Sequence, residues 1–366
     1  MKTSLIAILF ISSFLSSFAQ LNYSLDTDVN PKSIALGESS VANIMNPNLK
    51  SNPASLIGVN GINVYYSYRG LDQWEYSKDY FYYNLGLNYQ SRFGFIGFDY
   101  SRANYGELTI STFEHPEGIG KAQIYNHTFT LGYSNYLSDD FAIGVNLKTF
   151  TEVVKLVGDP GSLKPPKTNV PIILDLGFIY KLRGFIEEDF AYDQITVGTS
   201  LQNYGTDYRT TWIFSGDTEN QYYIKLPRFF RIGFAYNLSL IKNAESNYFN
   251  FLASFEYRNV LNKKGQSTFW GIGFQSTFLD ILSLRMGGIM NPFSSIYGEE
   301  KVFTIRYGVG VNLPLKLIGI NYPMKIGFNY TLIPLKNYTD YWYFIKNQKK
   351  NLTSFELNLS YDGVFF

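Results

Sequence analysis

From about residue 61 onward the chain repeats one theme, in which apolar or aromatic side chains take every second position and Gly, Asn, Ser, Thr or a charge falls between them. This two-residue period is the signature of strands with one apolar face. Phe81, Tyr83, Leu85, Leu87 and Tyr89 alternate with Tyr82, Asn84, Gly86, Asn88 and Gln90. Phe141, Ile143, Val145 and Leu147 alternate with Ala142, Gly144, Asn146 and Lys148. The same holds for Phe249, Phe251, Ala253, Phe255 and Tyr257, and for Phe303, Ile305, Tyr307, Val309 and Val311.

Fifteen segments carry the pattern, near 62–68, 80–89, 93–101, 107–113, 124–135, 141–151, 170–180, 195–202, 227–237, 248–257, 267–275, 282–290, 302–313, 324–332 and 354–363. Single-chain bacterial barrels have even strand counts, with long loops at one end and short turns at the other. Treating 107–113 as an excursion within a loop leaves fourteen strands. The loops then fall near 69–79, 102–123, 152–169, 203–226, 258–266, 291–301 and 333–353, and the turns near 90–92, 136–140, 181–194, 238–247, 276–281 and 314–323. The expected fold is therefore all-β: a transmembrane antiparallel β-barrel of fourteen strands over 61–366, preceded by an N-terminal segment.

That segment, 20–60, lacks the alternation and is rich in Asn, Ser, Pro and small apolar residues. A short helix is expected within Ser33–Met45, with Ile34, Leu36, Val41 and Ile44 as its apolar positions, and Asn46-Pro47-Asn48 and Asn52-Pro53 are turn signals. Its length suits a hatch or plug inside the barrel. A solvated periplasmic tail is the alternative, which the frequency of apolar residues disfavours.

Composition sharpens this picture. Of 366 residues 18% are aromatic while hydrophobic content is 45%, a proportion that a lipid-facing band with two interfacial girdles accommodates. A net charge of +1 argues against nucleic acid as a partner. The absence of cysteine excludes disulfides, thiol catalysis, cysteine metal sites and lipid attachment at an N-terminal cysteine. Residues 1–19 read as a secretory signal peptide: Lys2, an apolar stretch from Leu5 to Leu15, and Ser17-Phe18-Ala19 before Gln20. No later stretch has the length of a membrane helix, so any spanning structure must be built of strands. The expected location is the bacterial outer membrane with both termini periplasmic, and lipid as the first partner. At the other end Phe355, Leu357, Leu359 and Tyr361 form an outward row, and the chain stops at Phe365-Phe366. A final strand ending in Phe366 resembles the signal that barrel-assembly machinery reads.

With these residues in view, the chain resembles the PorV/PorQ family, a branch of the FadL-like outer-membrane barrels of Bacteroidetes-type bacteria. The hatch motif is carried by Ser33, Ala35, Leu36 and Gly37, followed by Asn52, Pro53 and Ala54. Leu174-Asp175-Leu176-Gly177, Leu201-Gln202-Asn203-Tyr204-Gly205, Leu226-Pro227-Arg228 and Leu284-Arg285-Met286-Gly287-Gly288 look like the family's strand signatures. Glu38-Ser39-Ser40 stands where the family has paired glycines. The resemblance implies a non-enzymatic accessory barrel of type IX protein secretion, whose partners are translocon components or the C-terminal domains of cargo. The alternative is a FadL-like channel for uptake of a hydrophobic ligand.

Candidate chemistry is sparse. His115 lies in a loop, and His127 shares parity with Phe129, Leu131 and Tyr133, on the lipid or interfacial face. Neither forms part of a catalytic or metal constellation, so no catalytic residue, metal or cofactor is expected. Asp139-Asp140, Glu187-Glu188-Asp189 and Glu299-Glu300 read as solvated carboxylates in connections. Gly271, Gly273, Gly308 and Gly310 read as small lumen-facing positions. Charges on the parity opposite the lipid face are expected to form a polar network in the lumen: Lys148, Asp175, Arg231, Glu256, Arg285, Arg306 and Lys325, with Lys181 and Arg258 beside them. The network either fills the lumen and holds the plug or gates a solute. Trp74, Trp212 and Trp342 are candidate loop contacts for a partner protein.

Overall fold

The computed structural model describes residues 25, 27–70, 80–110, 120–158, 165–214, 218–243, 246–262, 268–291, 302–334 and 351–362. Among the described residues seventeen strands follow one another: β1 (Ile62–Gly70), β2 (Tyr80–Ser91), β3 (Gly94–Ile110), β4 (Gly120–Tyr136), β5 (Phe141–Gly158), β6 (Lys167–Thr168), β7 (Ile172–Glu188), β8 (Ala191–Gly205), β9 (Tyr208–Phe214), β10 (Thr218–Ile224), β11 (Phe229–Asn243), β12 (Ser246–Val260), β13 (Phe269–Phe278), β14 (Leu282–Asn291), β15 (Val302–Pro314), β16 (Met324–Ile333) and β17 (Leu352–Tyr361). Fourteen of them close a barrel by antiparallel pairing, and β6, β9 and β10 form a separate three-stranded sheet. The barrel closes where β1 meets β17, with Ile62 opposite Tyr361 and Arg69 opposite Ser354. Closure matters physically because a sheet edge in hydrocarbon would leave unpaired backbone groups.

Alternation decides which side of each strand faces out. Leu131 and Leu357 are 53% and 51% exposed, whereas Asn146, Asp175 and Glu256 on the opposite parity are 0% exposed. Leucines at those exposures in water would be costly, so the outer surface is a lipid-facing one. Rings gather at both margins of this band. Tyr66, Tyr68, Phe81, Tyr83 and Phe355 pack together at the end bearing the long loops. Phe141 with Phe178 and Tyr180, Phe249 with Phe278, and Tyr322 with Tyr361 do so at the end with the short turns. These are the two girdles of a membrane barrel. The molecule is thus an all-β transmembrane barrel of fourteen strands.

Several boundaries differ from the sequence-based expectation. Residues 107–110 are no loop excursion: they continue β3 past a bulge between Asn104 and Glu107, where Gly106 takes φ 72°. The break in alternation that mimicked a new segment is the extra residue of that bulge. The expected long turn at 181–194 is a two-residue turn between strands that reach Glu188 and resume at Ala191. Likewise β5 extends to Gly158, and the expected loop 203–226 contains β9 and β10. In β5, for example, the alternation breaks because Lys155 takes the outward parity and Val154 the inward one, since a strand beyond the bilayer needs no apolar outer face.

Inside the barrel lies the N-terminal segment, built around two helical turns. Asn30 caps the first, α1 (Pro31–Ala35), its Oδ1 accepting from Lys32 N at 2.9 Å. Asn52 caps a 3-10 turn, Pro53–Gly58, its Oδ1 accepting from Ala54 N at 3.0 Å. An Asn cap followed by Pro at the first helical position starts a helix at low cost, because that position has no intrahelical N–H partner to lose. Asn52-Pro53 is therefore a helix start rather than a loop turn. The helix expected within Ser33–Met45 stops at Ala35, because Gly37 and Glu38 take φ 65° and 57°. That left-handed step turns the chain across the lumen.

Candidate functional site

The segment meets the wall on a belt of glycines. A Cβ on Gly144 would strike the backbone of Pro53 and Ala54, one on Gly177 the Asn52 carboxamide, one on Gly198 the Val41 carbonyl, and one on Gly287 the backbone of Leu36 and Gly37. Gly144 pairs with Gly177, Gly198 with Gly233, and Gly273 with Gly287, so the belt runs through neighbouring strands. It drops back two residues between some pairs, as strand tilt requires of a level ring. Backbone can thereby lie directly on backbone. Gly271 and Gly273 are indeed small positions facing the lumen, and what they receive is the hatch motif: Leu36 and Gly37.

Around this belt sits a polar layer. Glu256 is fully buried, accepts from Arg231 Nε at 2.5 Å, and accepts from the backbone amides of Ser40 and Val41 at 2.9 Å and 2.8 Å. Arg306 donates to Glu38 at 2.8 Å, Lys32 pairs with Glu356 at 2.9 Å, and Lys148 pairs with Asp175 at 2.5 Å. Asp175 also takes the Asn203 amide at 2.9 Å, and Asn203 Nδ2 donates to the Pro227 carbonyl at 2.8 Å. Asn203 has φ 61°, so the Leu-Gln-Asn-Tyr-Gly sequence is a bulge that ties β7 and β8 to the residues leading into β11. Arg285 donates to Gln275 at 2.6 Å and to Asn329 at 2.9 Å. Buried charges persist only when paired in this way. Burial by itself pushes the Glu38 carboxyl up, but the Arg306, Arg258 and Arg69 guanidiniums outweigh it and hold the group at about 2.

Lys148, Asp175, Arg231, Glu256, Arg285 and Arg306 therefore line the lumen. Lys325 does not: it is 39% exposed and pairs with Asp362 at 2.7 Å at the turn end of the barrel. Its parity is inward, but it is only one residue into β16, where the wall has opened to solvent. Lys181, in the hairpin extension of β7, binds the Tyr136 hydroxyl and is only partly buried. Among the motif residues, Ser33 bonds Ser40 Oγ at 2.9 Å, and Ala35 and Leu36 pack against wall glycines. His127 faces outward and shares a 2.7 Å hydrogen bond with the Tyr100 hydroxyl. Phe355, Leu357, Leu359 and Tyr361 stand on β17. Trp74, Trp342, His115, Glu299, Glu300 and Phe366 fall outside the described residues, as does the side chain of Trp212. Sequence reasoning missed Asp28, Glu38, Lys50, Arg69 and Glu356. Parity alone could have found the last, which sits between Phe355 and Leu357.

Beyond the polar layer, toward the loop end, the inner wall turns apolar. Tyr82, Ala103, Tyr105, Ala122, Ile124 and Val154 pack with Val29 of the N-terminal segment. Phe150, Ile173, Tyr208 and Leu226 pack with Leu25. The small sheet contributes Tyr208 and Thr210, both buried, whereas Arg209 between them is exposed. It therefore lies over this region as a cover. Between plug and wall is a cavity of ≈ 10 Å³, lined by Asp28, Glu38, Lys50, Gln202, Arg231 and Arg258 among others, about the room that one water needs. Among the described residues no group of three or more metal-ligating side chains occurs.

Fold and lumen together define a plugged transmembrane β-barrel. No protein-family model matches the chain, and no curated protein matches it. Among solved structures it is similar to the Pseudomonas putida toluene transporter TodX, at 11% identity and TM-score 0.45, over 91% of this chain and 98% of that one. A Pseudomonas aeruginosa FadL homologue gives 9% identity and TM-score 0.44, over 92% and 98%. CdiB from Acinetobacter baumannii gives 8% and 0.43, over 83% and 60%.

Proposed function

We propose that this chain is a non-enzymatic barrel of the bacterial outer membrane that admits a hydrophobic small molecule from its loop end, with residues 27–60 as the hatch. The observation that carries this reading is the change in the inner wall: apolar from Tyr105, Ile124, Phe150, Val154 and Ile173 at the loop end, polar and plugged below. A water-filled pore would keep its vestibule polar, whereas an apolar vestibule above a closed floor concentrates a lipophilic solute. Because the floor is closed, transfer requires the hatch to shift. Deleting the gene should lower uptake of a radiolabelled hydrophobic solute by the native bacterium. Unchanged uptake, with the chain demonstrably expressed in the parent strain, would count against the reading.

A second reading, the accessory component of type IX secretion implied by the PorV/PorQ resemblance, is supported by the small sheet. Among the described strands β10 pairs only with β9, and a strand edge of this kind can accept an extended segment of a translocon partner or cargo domain. In that case the deletion would block cargo secretion and leave hydrophobic uptake intact.

A further inference from the structure

The arginines that point into the lumen are engaged there: Arg231 meets Glu256, Arg306 meets Glu38, Arg285 meets Gln275 and Asn329, and Arg69 donates to the Asp28 carbonyl. Arg102 differs. On β3 it shares the parity of Ile96 and Phe98, which are 40% and 42% exposed, so it faces out. It stands between Tyr83 of β2 and His127 of β4, within the aromatic girdle at the loop end, where Tyr100 lies 6.2 Å from Tyr83 and 5.8 Å from the His127 ring. Its guanidinium lies 4.3 Å from the centre of the Tyr125 ring. Its Nε is buried without a hydrogen-bond partner, and among the described residues Arg102 forms no ion pair. Farther toward the loops β3, β4 and β5 rise past the apolar band, with Glu107, Lys121, Gln123 and Lys155 on the outward parity. Glu107 is taken by Lys121 at 2.9 Å and Gln123 at 2.6 Å. Lys155, opposite Gln123, is exposed and forms no ion pair among the described residues.

A guanidinium at the edge of hydrocarbon is costly unless an anion meets it, and here the protein supplies none. The long loops mark the extracellular end, so the lipid beside Arg102 belongs to the outer leaflet. The planar fork of arginine suits a phosphate, and stacking on Tyr125 holds that plane in place before the ligand arrives. Lys155 supplies a second cation farther out. From Thr151, which pairs with His127, to Lys155 is four residues, about 13 Å of strand. A glycerophospholipid with one phosphate does not reach both cations, whereas a disaccharide with a phosphate at each end does. We propose that the outer face of β3–β5 docks the head of a bisphosphorylated outer-leaflet glycolipid, with one phosphate on Arg102, the other toward Lys155, and the acyl chains over Phe98, Phe129 and Leu131. This rests on the outer-membrane placement above and is independent of which solute the lumen admits.

The test is native mass spectrometry of the full chain in detergent micelles, titrated with bisphosphoryl lipid A or with dioleoyl phosphatidylglycerol. Wild type is compared with Arg102→Gln, Arg102→Lys, Lys155→Gln and Arg92→Gln, with the heat-dependent gel shift of each confirming a folded barrel. Arg92 is the control, an exposed arginine that lies 4.6 Å from the Phe93 ring at the turn end. Wild type should bind lipid A about tenfold or more tightly than phosphatidylglycerol. Arg102→Gln should weaken lipid A about tenfold, the size expected for a lost charge-assisted hydrogen bond. Arg102→Lys, which keeps the charge and loses the fork, and Lys155→Gln should each weaken it about threefold, and Arg92→Gln should leave it unchanged. Equal affinity of wild type for the two lipids, a loss no greater in Arg102→Gln than in Arg92→Gln, or no binding of lipid A by wild type overturns the inference. Solute uptake is reported separately by the deletion strain, so a failure there and a failure here are told apart.

Discussion

Glu256 satisfies Arg231 and two plug amides at once, so a single side chain connects wall, charge network and hatch. Truncating it would leave a buried guanidinium and two amides without their acceptor, a class of change that costs about 3–5 kcal/mol. Glu256→Ala should therefore lower the unfolding temperature markedly in a calorimetric scan, and Glu256→Gln, which keeps one acceptor oxygen, should do so less. The belt behaves in the opposite sense, since there the addition of atoms does the damage. Gly177→Val puts side-chain carbon where the Asn52 carboxamide sits, while the outer face of β7 is untouched. Such a variant should still migrate as a folded barrel yet pass more current in planar bilayers than wild type. Glu38 adds a pH dependence. Its folded-state value, about 2, lies below the ordinary 4.5, so its contribution to plug docking is complete above pH 4.5 and is lost as pH falls toward 2. Protease cleavage within 27–60 should rise over that window in wild type and lose part of that rise in Glu38→Gln.

Among elements, the N-terminal segment differs from the strands in how it is held. The strands are fixed by continuous backbone ladders, whereas α1 and the Pro53–Gly58 turn are held by side-chain and backbone bonds to the wall, such as Thr331 Oγ1 to the Pro31 carbonyl at 2.6 Å and Ser200 Oγ to the Ser51 carbonyl at 2.8 Å. Bonds of this kind can be exchanged singly for water, whereas a ladder opens cooperatively. Removing 27–60 should consequently leave the barrel assembled and convert it into a conducting pore, measurable as a stepwise conductance absent from the full chain. An unfolded product would show instead that the segment is required for closure. The bulge at Asn104 and the Asn203 bulge play a different part, since both bend a strand beside the apolar part of the inner wall.

For the whole molecule the decisive energetic term is the match between an apolar exterior and hydrocarbon. A charge placed at mid-band should cost about 2–4 kcal/mol when it faces lipid. Leu131→Arg should thus lower the denaturant midpoint of refolding into lipid vesicles, whereas Asn312→Arg, on the inward parity near the turn end, should change it far less. The same balance explains why the polar groups are inside: with lipid outside, only the lumen offers partners for the many buried charges and carboxamides.

Local pattern by itself determined the alternation, its lipid-facing parity and the inward place of Lys148, Asp175, Arg231, Glu256, Arg285 and Arg306, because a strand sends successive side chains to opposite faces whatever its neighbours are, whereas the count of fourteen also needed the even-strand rule for barrels. It also marked Asn52-Pro53 as a break, although not as a helix start. Only the closed structure decided the rest. Parity says that Glu356 and Lys148 point inward without saying which reaches a partner, and it treats Lys325 as luminal although the wall ends there. Register, strand tilt and the route of residues 27–60 bring Glu38 to Arg306 and Lys32 to Glu356 across more than 250 residues of chain. They also leave Glu152 facing a tyrosine with no cation near it among the described residues. Such pairings are set by the geometry of closure, to which no local window of sequence has access.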